Sequence, residues 1–413
     1  MEDIIPQNAI DSIAEHINQR TNKQYSIPIV GDPSKSETPQ VFEIIPFSEM
    51  DNTNSRFYAI DGSNNSHSFY NGVSIGIYRA GYVCFQLGKQ LRMNNNEDPV
   101  ILGKSYTPKN ILITCDQHLL AIYDELMNLS PVKFFLDFLE PELGKQREIF
   151  AYDQKAVCKS MSTLLSFSQE ILEWALVYEI ACRPEIEPND FILRDGHLRS
   201  LNIEQKYLIK LGKLLTQKKV VLVSITKNTP IKMELSYTLK QIDSYLQDKL
   251  KSGYPFKQTD PKGQKLCCWF EVSGPVLSNA YSGGGMFISK KLTGGRGFGL
   301  FFAARLDYVE KLQNYDWVVA DVNIFDAVLG IEQDNQVRNM ERLQSIFFNL
   351  TRLTQEHYIL GYPYPLVEAH NFITLKEDFK EEVISRVKHA MYSGQHMDHV
   401  DIENMFLDIH SRF

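Results

Sequence analysis

Apolar residues recur at helical spacing in several segments of this chain. Within residues 1–20, Ile10, Ile13 and Ile17 lie on one side of a predicted helix. The long segment 154–183 carries apolar residues at the same period and predicts a buried helix. The same pattern predicts further helices at 109–127, 203–217, 236–250 and near 335–356, one from Pro365 onward, and a charged helical segment at the C-terminal end.

Short β-rich runs bounded by turn residues predict strands between these helices. Residues 57–61 are followed by a polar stretch at 62–65, which predicts a turn. Two further strands, 68–79 and 82–87, are predicted with a break at 80–81, so this region is expected to form an antiparallel meander. Later strands are predicted at 190–195, at 220–226 and within the glycine-interrupted segment 267–325.

Two of the predicted strands end in the same dipeptide. Residues 57–60 lead directly into Asp61-Gly62, and residues 191–194 lead into Asp195-Gly196. A carboxylate at the end of a buried strand costs free energy unless a partner compensates its charge. Asp-Gly is also a common turn dipeptide, so either aspartate alone would indicate only a turn. The repeated pattern predicts instead that two strand ends meet at one cation.

The long predicted helix before the second Asp-Gly offers a third carboxylate. Glu179 lies at helical spacing from Leu172 and Ala175 on the apolar stripe, whereas Glu173 lies behind Gln169 on a more polar side. A carboxylate on an apolar stripe requires a functional reason, so Glu179 is the preferred candidate. Glu173 stays open as the alternative.

The order strand aspartate, helix glutamate, strand aspartate is that of the ribonuclease-H-like fold. The fold class predicted here is therefore α/β, a ribonuclease-H-like mixed sheet flanked by helices, with a β-rich insertion and helical N- and C-terminal segments. Clustered carboxylates repel one another unless a divalent ion joins them, and oxygen ligands suit Mg²⁺ or Mn²⁺. Two such ions can stabilise the attacking and leaving oxygens of a phosphodiester.

Composition limits the classes of function. With 43 basic and 51 acidic residues, the net charge is −8, so bulk charge would not hold this chain on nucleic acid. The six cysteines form no zinc-binding pattern, and no signal peptide or membrane-spanning stretch is predicted. These features predict a cytoplasmic protein with reduced thiols and no membrane association.

Four short segments together resemble the NurA nuclease family and follow that family's order between about residues 55 and 372. The segments are Ala59–Ser63, Leu193–Leu198, Val223–Lys227 and Tyr362–His370, of which the last is the most characteristic. The resemblance implies a Mn²⁺-dependent DNA exo- and endonuclease, with Mg²⁺ as the alternative ion. It also implies a homodimer that works with a HerA-type hexameric ATPase in DNA end processing or in defence against foreign DNA.

The resemblance assigns roles to individual residues of this chain. It implies that the metal ligands are Asp61, Glu179, Asp195 and His370. Lys227 matches a lysine after the family's central strand, either a cation beside the phosphate or a solvated strand end. Tyr362 matches a family tyrosine, either a hydroxyl donor to phosphate or core packing. A lone histidine such as His370 more commonly bonds to backbone, and His197 departs from the small residue usual at its position.

Four segments are predicted along the chain. They are an N-terminal helical arm and loop at 1–50, the first part of the ribonuclease-H-like core at 51–230, a helical and β-rich insertion with glycine-rich loops at 231–350, and a C-terminal segment at 351–413. Two other functions are compatible with the sequence. The chain could be a non-catalytic assembly subunit of the ATPase complex, or another ribonuclease-H-like enzyme that cleaves phosphodiesters.

Overall fold

The structure is a computed structural model, and it describes most but not all of the chain. The described residues are 7–22, 29–30, 40–44, 55–68, 74–86, 89–90, 103–106, 112–113, 116–226, 228–251, 267–280, 297–307, 317–330, 337–356, 361–374, 377–393, 398, 400 and 402–403.

Fourteen strands are found within these residues. They are β1 (Ile29–Val30), β2 (Gln40–Glu43), β3 (Arg56–Ser68), β4 (Ser74–Gln86), β5 (Lys89–Gln90), β6 (Gly103–Tyr106), β7 (Leu112–Ile113), β8 (Phe191–Asp195), β9 (Val221–Thr226), β10 (Cys268–Glu271), β11 (Gly299–Arg305), β12 (Trp317–Asn323), β13 (Val328–Leu329) and β14 (Val337–Arg338). Twelve of them form one mixed sheet in the order β1-β2-β10-β11-β12-β9-β8-β3-β4-β5, with β6 and β7 paired to β4.

Helices cover both faces of this sheet. They are α1 (Gln7–Thr21), α2 (Asp116–Asn128), α3 (Ser130–Leu139), α4 (Gln154–Val157), α5 (Met161–Ala181), α6 (Gln205–Gln217), α7 (Pro230–Glu234), α8 (Ser236–Lys251), α9 (Gly274–Ala280), α10 (Ile324–Ala327), α11 (Met340–Glu356), α12 (Tyr364–Ile373) and α13 (Glu377–Ser393), with a 3-10 helix at Leu143–Ile149. Each helix in the described part of the chain is too short or too polar to cross a membrane. The mixed α/β class with flanking helices is confirmed.

The centre of the sheet consists of parallel neighbours. β8 runs parallel to β3 on one side and to β9 on the other, and β12 continues the sheet antiparallel to β9. Every residue of β9 is buried, and only the last residue of β8 is partly exposed. Such continuously apolar strands are typical of a parallel sheet covered on both faces.

Alternate residues of the central strands enter different cores. On one face, Tyr58 and Ile192 pack in a core with α2, α3, α5 and α6. On the other face, Phe57 and Leu193 pack in a core with α11 and α12. Because strand side chains alternate between faces, Asp61 and Asp195 point to the face of α11 and α12, and Arg194 points to the face of α5.

Most elements predicted from periodicity are confirmed, but two local predictions are wrong. Residues 62–65 are not a turn, because β3 continues through them and Gly62 pairs with Ala80 of β4. The predicted break at 80–81 is absent for the same reason: thirteen consecutive pairs join β3 and β4. Long-range pairing has overridden the local turn signal.

The predicted helix 154–183 is two helices, α4 and α5. Between them Ser160 caps α5, since its side-chain oxygen accepts a hydrogen bond from the Thr163 backbone N–H at 3.2 Å. Strands from the predicted insertion, β10 to β12, lie in the same sheet as strands from the predicted core. The four segment boundaries stay predictions.

Candidate active site

The two Asp-Gly sequences lie side by side at one edge of the parallel strands. β3 and β8 are paired in register from Phe57–Phe191 to Ile60–Arg194. Asp61 and Asp195 are the next residue on each strand, and they share one face of the sheet. Their negative charges interact, since Asp195 is among the groups that raise the pKa of Asp61. The structure therefore brings together the two strand ends that the sequence pattern predicted would meet.

Asp61 is a buried carboxylate with two hydrogen-bond partners. Its Oδ1 accepts a hydrogen bond from the Gly62 N–H at 2.8 Å, and its Oδ2 lies 2.8 Å from Nδ1 of His370 on α12. Burial raises the pKa of Asp61 to about 6, and the charges of Glu173 and Asp195 act in the same direction. His370 is therefore in contact with the predicted site, and its side chain remains 61% exposed.

Tyr362 connects the second aspartate to the core. Its hydroxyl lies within hydrogen-bonding reach of the Asp195 side chain and also donates to the Ile225 carbonyl oxygen at 3.2 Å. Burial raises the pKa of Asp195, and the hydrogen bond from Tyr362 opposes that shift. The pKa of Tyr362 itself is raised by burial and by the neighbouring Asp195. Tyr362 thus stays protonated and orients Asp195.

The helix carboxylate that the structure places beside Asp61-Gly62 is Glu173, the alternative left open, and the role of Glu179 stays a prediction. Glu173 is buried on α5, its charge raises the pKa of Asp61, and a Cβ at Gly62 would collide with its Oε1. Glu179 lies six residues further along α5, in a pocket lined by Cys182 and Arg183. The structure does not bring Glu179 to the two aspartates.

The apolar stripe of α5 did not identify this glutamate, because the helix is buried on almost every side. Glu173 itself is among its buried residues, so an apolar stripe does not identify the face that meets the strand ends. A usable signal was Arg194, a cation in the otherwise apolar run before Asp195. A buried arginine requires a carboxylate partner, and Glu173 is that partner at 2.6 Å.

We call Asp61, Glu173, Asp195 and His370 the strand-end cluster. Three carboxylates and one imidazole are donors that suit a divalent ion such as Mn²⁺. Burial raises the pKa values of both Asp61 and Asp195, and a cation beside them would favour their charged forms. By donor chemistry these residues fit the ion, although no three His, Cys, Asp or Glu side chains in the described segments are arranged to hold a metal as they stand.

The loop after Asp195 is held by hydroxyl groups of β9. Gly196 has a φ of +105°, a conformation that favours glycine. Its carbonyl oxygen accepts hydrogen bonds from the hydroxyls of Ser224 and Thr226. His197 follows, with Nδ1 3.2 Å from the Thr226 hydroxyl and its ring edge-on to Phe301. Burial lowers the pKa of His197 to about 3, so this ring is neutral and packs beside the sheet.

A second buried carboxylate anchors the same loop, and the sequence analysis did not identify it. Oδ2 of Asp321 accepts a hydrogen bond from the Leu198 N–H at 2.9 Å and lies 3.6 Å from Nε of Arg199. A Cβ at Gly299 would collide with Asp321 Oδ1. We call these four residues the Asp321 cluster. The available signal was that Asp321 is the only charged residue in the apolar strand β12.

Lys227 lies outside the described residues, so its predicted role stays a prediction. Comparison with protein families gives one result: a family model described as the NurA domain matches residues 55–374, which is most of the chain. A search among curated proteins found no match. The matched range contains the whole strand-end cluster.

Proposed function

This chain belongs to the NurA family, a family of nucleases, and from that premise we propose that it is a metal-dependent deoxyribonuclease with a ribonuclease-H-like core. The proposed activity is exo- and endonucleolytic hydrolysis of single- and double-stranded DNA with Mn²⁺, or with Mg²⁺ as the alternative. The observation that carries the proposal is geometric: Asp61 and Asp195 follow paired positions of β3 and β8, and a Cβ at Gly62, next to Asp61, would collide with Glu173 Oε1. Neighbouring like charges cost stability, and a divalent cation bound by these carboxylates would offset that cost.

The ribonuclease-H-like assignment is supported by strand order and by the positions of the acids. The first long strand, β3, pairs antiparallel with β4 and parallel with β8, and β8 pairs parallel with β9. The two aspartates end β3 and β8, and the helix glutamate comes from α5, which packs on β3 and β4.

The ligands of the proposed ion are Asp61, Asp195, Glu173 and His370. When bound, a divalent ion would activate water and neutralise charge on the phosphate. The chain's own residues orient these groups. His370 Nδ1 holds Asp61 Oδ2, and the Tyr362 hydroxyl holds Asp195. We propose Lys227, which follows β9 in the sequence, as a cation that stabilises developing charge on the phosphate.

The experiment that tests this function is a cleavage assay on purified full-length protein. Linear single- and double-stranded DNA are incubated with Mn²⁺, Mg²⁺ or a chelator, and wild type is compared with Glu173→Gln. The matched control is Glu179→Gln, because it removes the same charge from the same helix outside the strand-end cluster. We expect cleavage by wild type and Glu179→Gln, and its loss in Glu173→Gln. Equal cleavage by all three proteins would contradict the proposal.

We further propose that the protein acts as a homodimer with a HerA-type hexameric ATPase, in DNA end processing or in defence. This proposal follows from family membership. Co-purification with a hexameric ATPase, followed by ATP-dependent stimulation of cleavage, would support it. A complex that forms without any Mn²⁺-dependent cleavage would instead favour the non-catalytic assembly role. Cleavage of RNA but not DNA would favour another ribonuclease-H-like activity.

A further inference from the structure

Both oxygens of the Glu173 carboxylate already have partners. Oε2 accepts a hydrogen bond from Nη2 of Arg194 at 2.6 Å, and Oε1 accepts one from Nε2 of Gln169 at 2.8 Å. The side chains of Glu173 and Arg194 are 7% and 8% exposed, so water screens this ion pair weakly. Glu173 is thus neutralised by a cation that belongs to the protein itself.

Arg194 is fixed independently of Glu173. Its Nη1 donates to the His197 carbonyl oxygen at 2.6 Å, and its guanidinium carbon lies 4.7 Å from the ring centre of Trp174. The residue directly precedes Asp195 on β8, so strand alternation puts its side chain on the face of α5. A guanidinium held in this way cannot follow Glu173 if that carboxylate turns towards another cation.

We propose that Arg194 is a positioning residue that competes with the divalent ion for Glu173 and so weakens metal binding at the strand-end cluster. This inference rests on the metal ion of the proposed function. It accounts for two observations together: Glu173 Oε1 lies beside Gly62, the neighbour of Asp61, yet the described side chains contain no three-ligand arrangement. An ion that recruits Glu173 must separate it from Arg194, and the lost ion pair offsets most of what the new ligand contributes.

The inference predicts a specific pattern of Mn²⁺ affinities. Arg194→Met removes the competing cation, so Mn²⁺ is expected to bind at least tenfold more tightly than to wild type. In the double variant Glu173→Gln/Arg194→Met, a neutral pair replaces the ion pair. Its affinity is expected to stay within about threefold of wild type, because ligand and competitor are lost together.

The measurement is calorimetric titration of Mn²⁺ into the full-length proteins. The matched control is Arg199→Met, because Arg199 is also buried, also contacts an aromatic ring (Phe301, at 4.2 Å) and also faces a carboxylate, Asp321. Loss of Arg199 disturbs a comparable contact without touching Glu173. We expect its Mn²⁺ affinity to lie within about threefold of wild type.

The outcomes separate this inference from the proposed function. Affinity in Arg194→Met that is equal to or weaker than wild type would overturn it, as would the absence of Mn²⁺ binding to either protein. If Arg194→Met does not fold, the double variant decides: affinity near wild type supports the inference, and a loss of tenfold or more overturns it. If wild type cleaves DNA but Arg194→Met binds Mn²⁺ no more tightly than wild type, only the competition between Arg194 and the ion is rejected. If the variants show the expected Mn²⁺ affinities but wild type does not cleave DNA, only the proposed nuclease activity is rejected.

Discussion

The two buried carboxylate sites of this protein differ in what surrounds them. In the strand-end cluster, Asp61 has Asp195 on the neighbouring strand and Glu173 beside Gly62; burial raises its pKa, and the charges of these two carboxylates add to the shift. In the Asp321 cluster, the single carboxylate is buried more deeply, but its neighbours are the Arg199 guanidinium and the Leu198 N–H, and both act to lower its pKa. The strand-end cluster gathers three carboxylates, of which Glu173 is paired with Arg194, whereas the Asp321 cluster pairs one carboxylate with one guanidinium.

From this difference we expect a functional role for the strand-end cluster and a structural role for the Asp321 cluster. Burial alone raises the pKa of both Asp61 and Asp321, so a raised pKa does not distinguish them. Repulsion between carboxylates destabilises the fold, so such a group is expected where a bound ligand compensates the charge. A buried ion pair instead connects two segments of the chain. The Asp321 cluster holds the loop that follows Asp195, so it also helps to position the strand-end cluster.

The largest expected effect is on catalysis. Asp61→Asn and Asp195→Asn each remove a charged ligand while keeping the side-chain shape, so we expect cleavage with Mn²⁺ to fall at least about 1,000-fold, or roughly 4 kcal/mol. The unfolding midpoint should not fall, because a repulsive charge has been removed. Initial rates on end-labelled DNA and thermal unfolding measure the two effects. Retained cleavage in either variant would contradict a catalytic role for the strand-end cluster.

The Asp321 cluster should show the opposite behaviour. Asp321→Ala leaves the Leu198 N–H and the Arg199 guanidinium buried without this carboxylate, and breaking such a pair costs about 3–5 kcal/mol. We expect a loss of this size in the free energy of unfolding, measured by denaturant titration. A cost below about 1 kcal/mol would show that Asp321 does not anchor the loop.

Two glycines allow the clusters to be compared by the same substitution. Gly62→Ala would push against Glu173 and Gln169, whereas Gly299→Ala would push against the Asp321 carboxylate. We expect Gly62→Ala to reduce cleavage about tenfold with a small change in stability. Gly299→Ala should reduce stability by about 1–3 kcal/mol and retain cleavage per folded molecule. The reverse pattern, measured by the same two assays, would contradict the assignment of roles.

The pKa of Asp61 predicts how stability depends on pH without metal. Its folded value of about 6 lies above its ordinary value of 3.8, so the folded state binds more protons between these values. Stability should therefore fall as pH rises from about 4 to 6, by on the order of 2 kcal/mol from this group. Asp61→Asn should flatten that part of the curve. If denaturant titrations show the same dependence of stability on pH for the two proteins, the pKa of Asp61 in the folded state is ordinary.

The smallest expected effect comes from the tyrosine that contacts Asp195. Tyr362→Phe removes a buried hydroxyl that serves Asp195 and the Ile225 carbonyl. We expect a loss of about 1 kcal/mol in stability and a decrease in cleavage of about three- to tenfold, because Asp195 is oriented less well. A loss as large as that of Asp195→Asn would instead make Tyr362 a direct contact of the reacting phosphate.

The sequence predicted the parts of the site that depend on local pattern. The repeated Asp-Gly endings indicated two strand ends, and parallel pairing of β3 with β8 is enough to bring them together. Glu173 could not be chosen over Glu179, because helix phase does not show which side of a fully packed helix meets a given strand. Asp321 was missed because its role depends on β12 lying next to β9, which is a long-range pairing. The continuation of β3 past Gly62 depends on β4 in the same way.

The central claim is that Asp61 and Asp195 serve one metal site. Calorimetric titration of Mn²⁺ into wild type, Asp61→Asn, Asp195→Asn and the double variant tests it most directly. We expect each single variant to lose the wild-type binding signal and the double variant to lose no more than either one. Binding that persists in both single variants and disappears only when both aspartates are replaced would show separate sites and contradict the account.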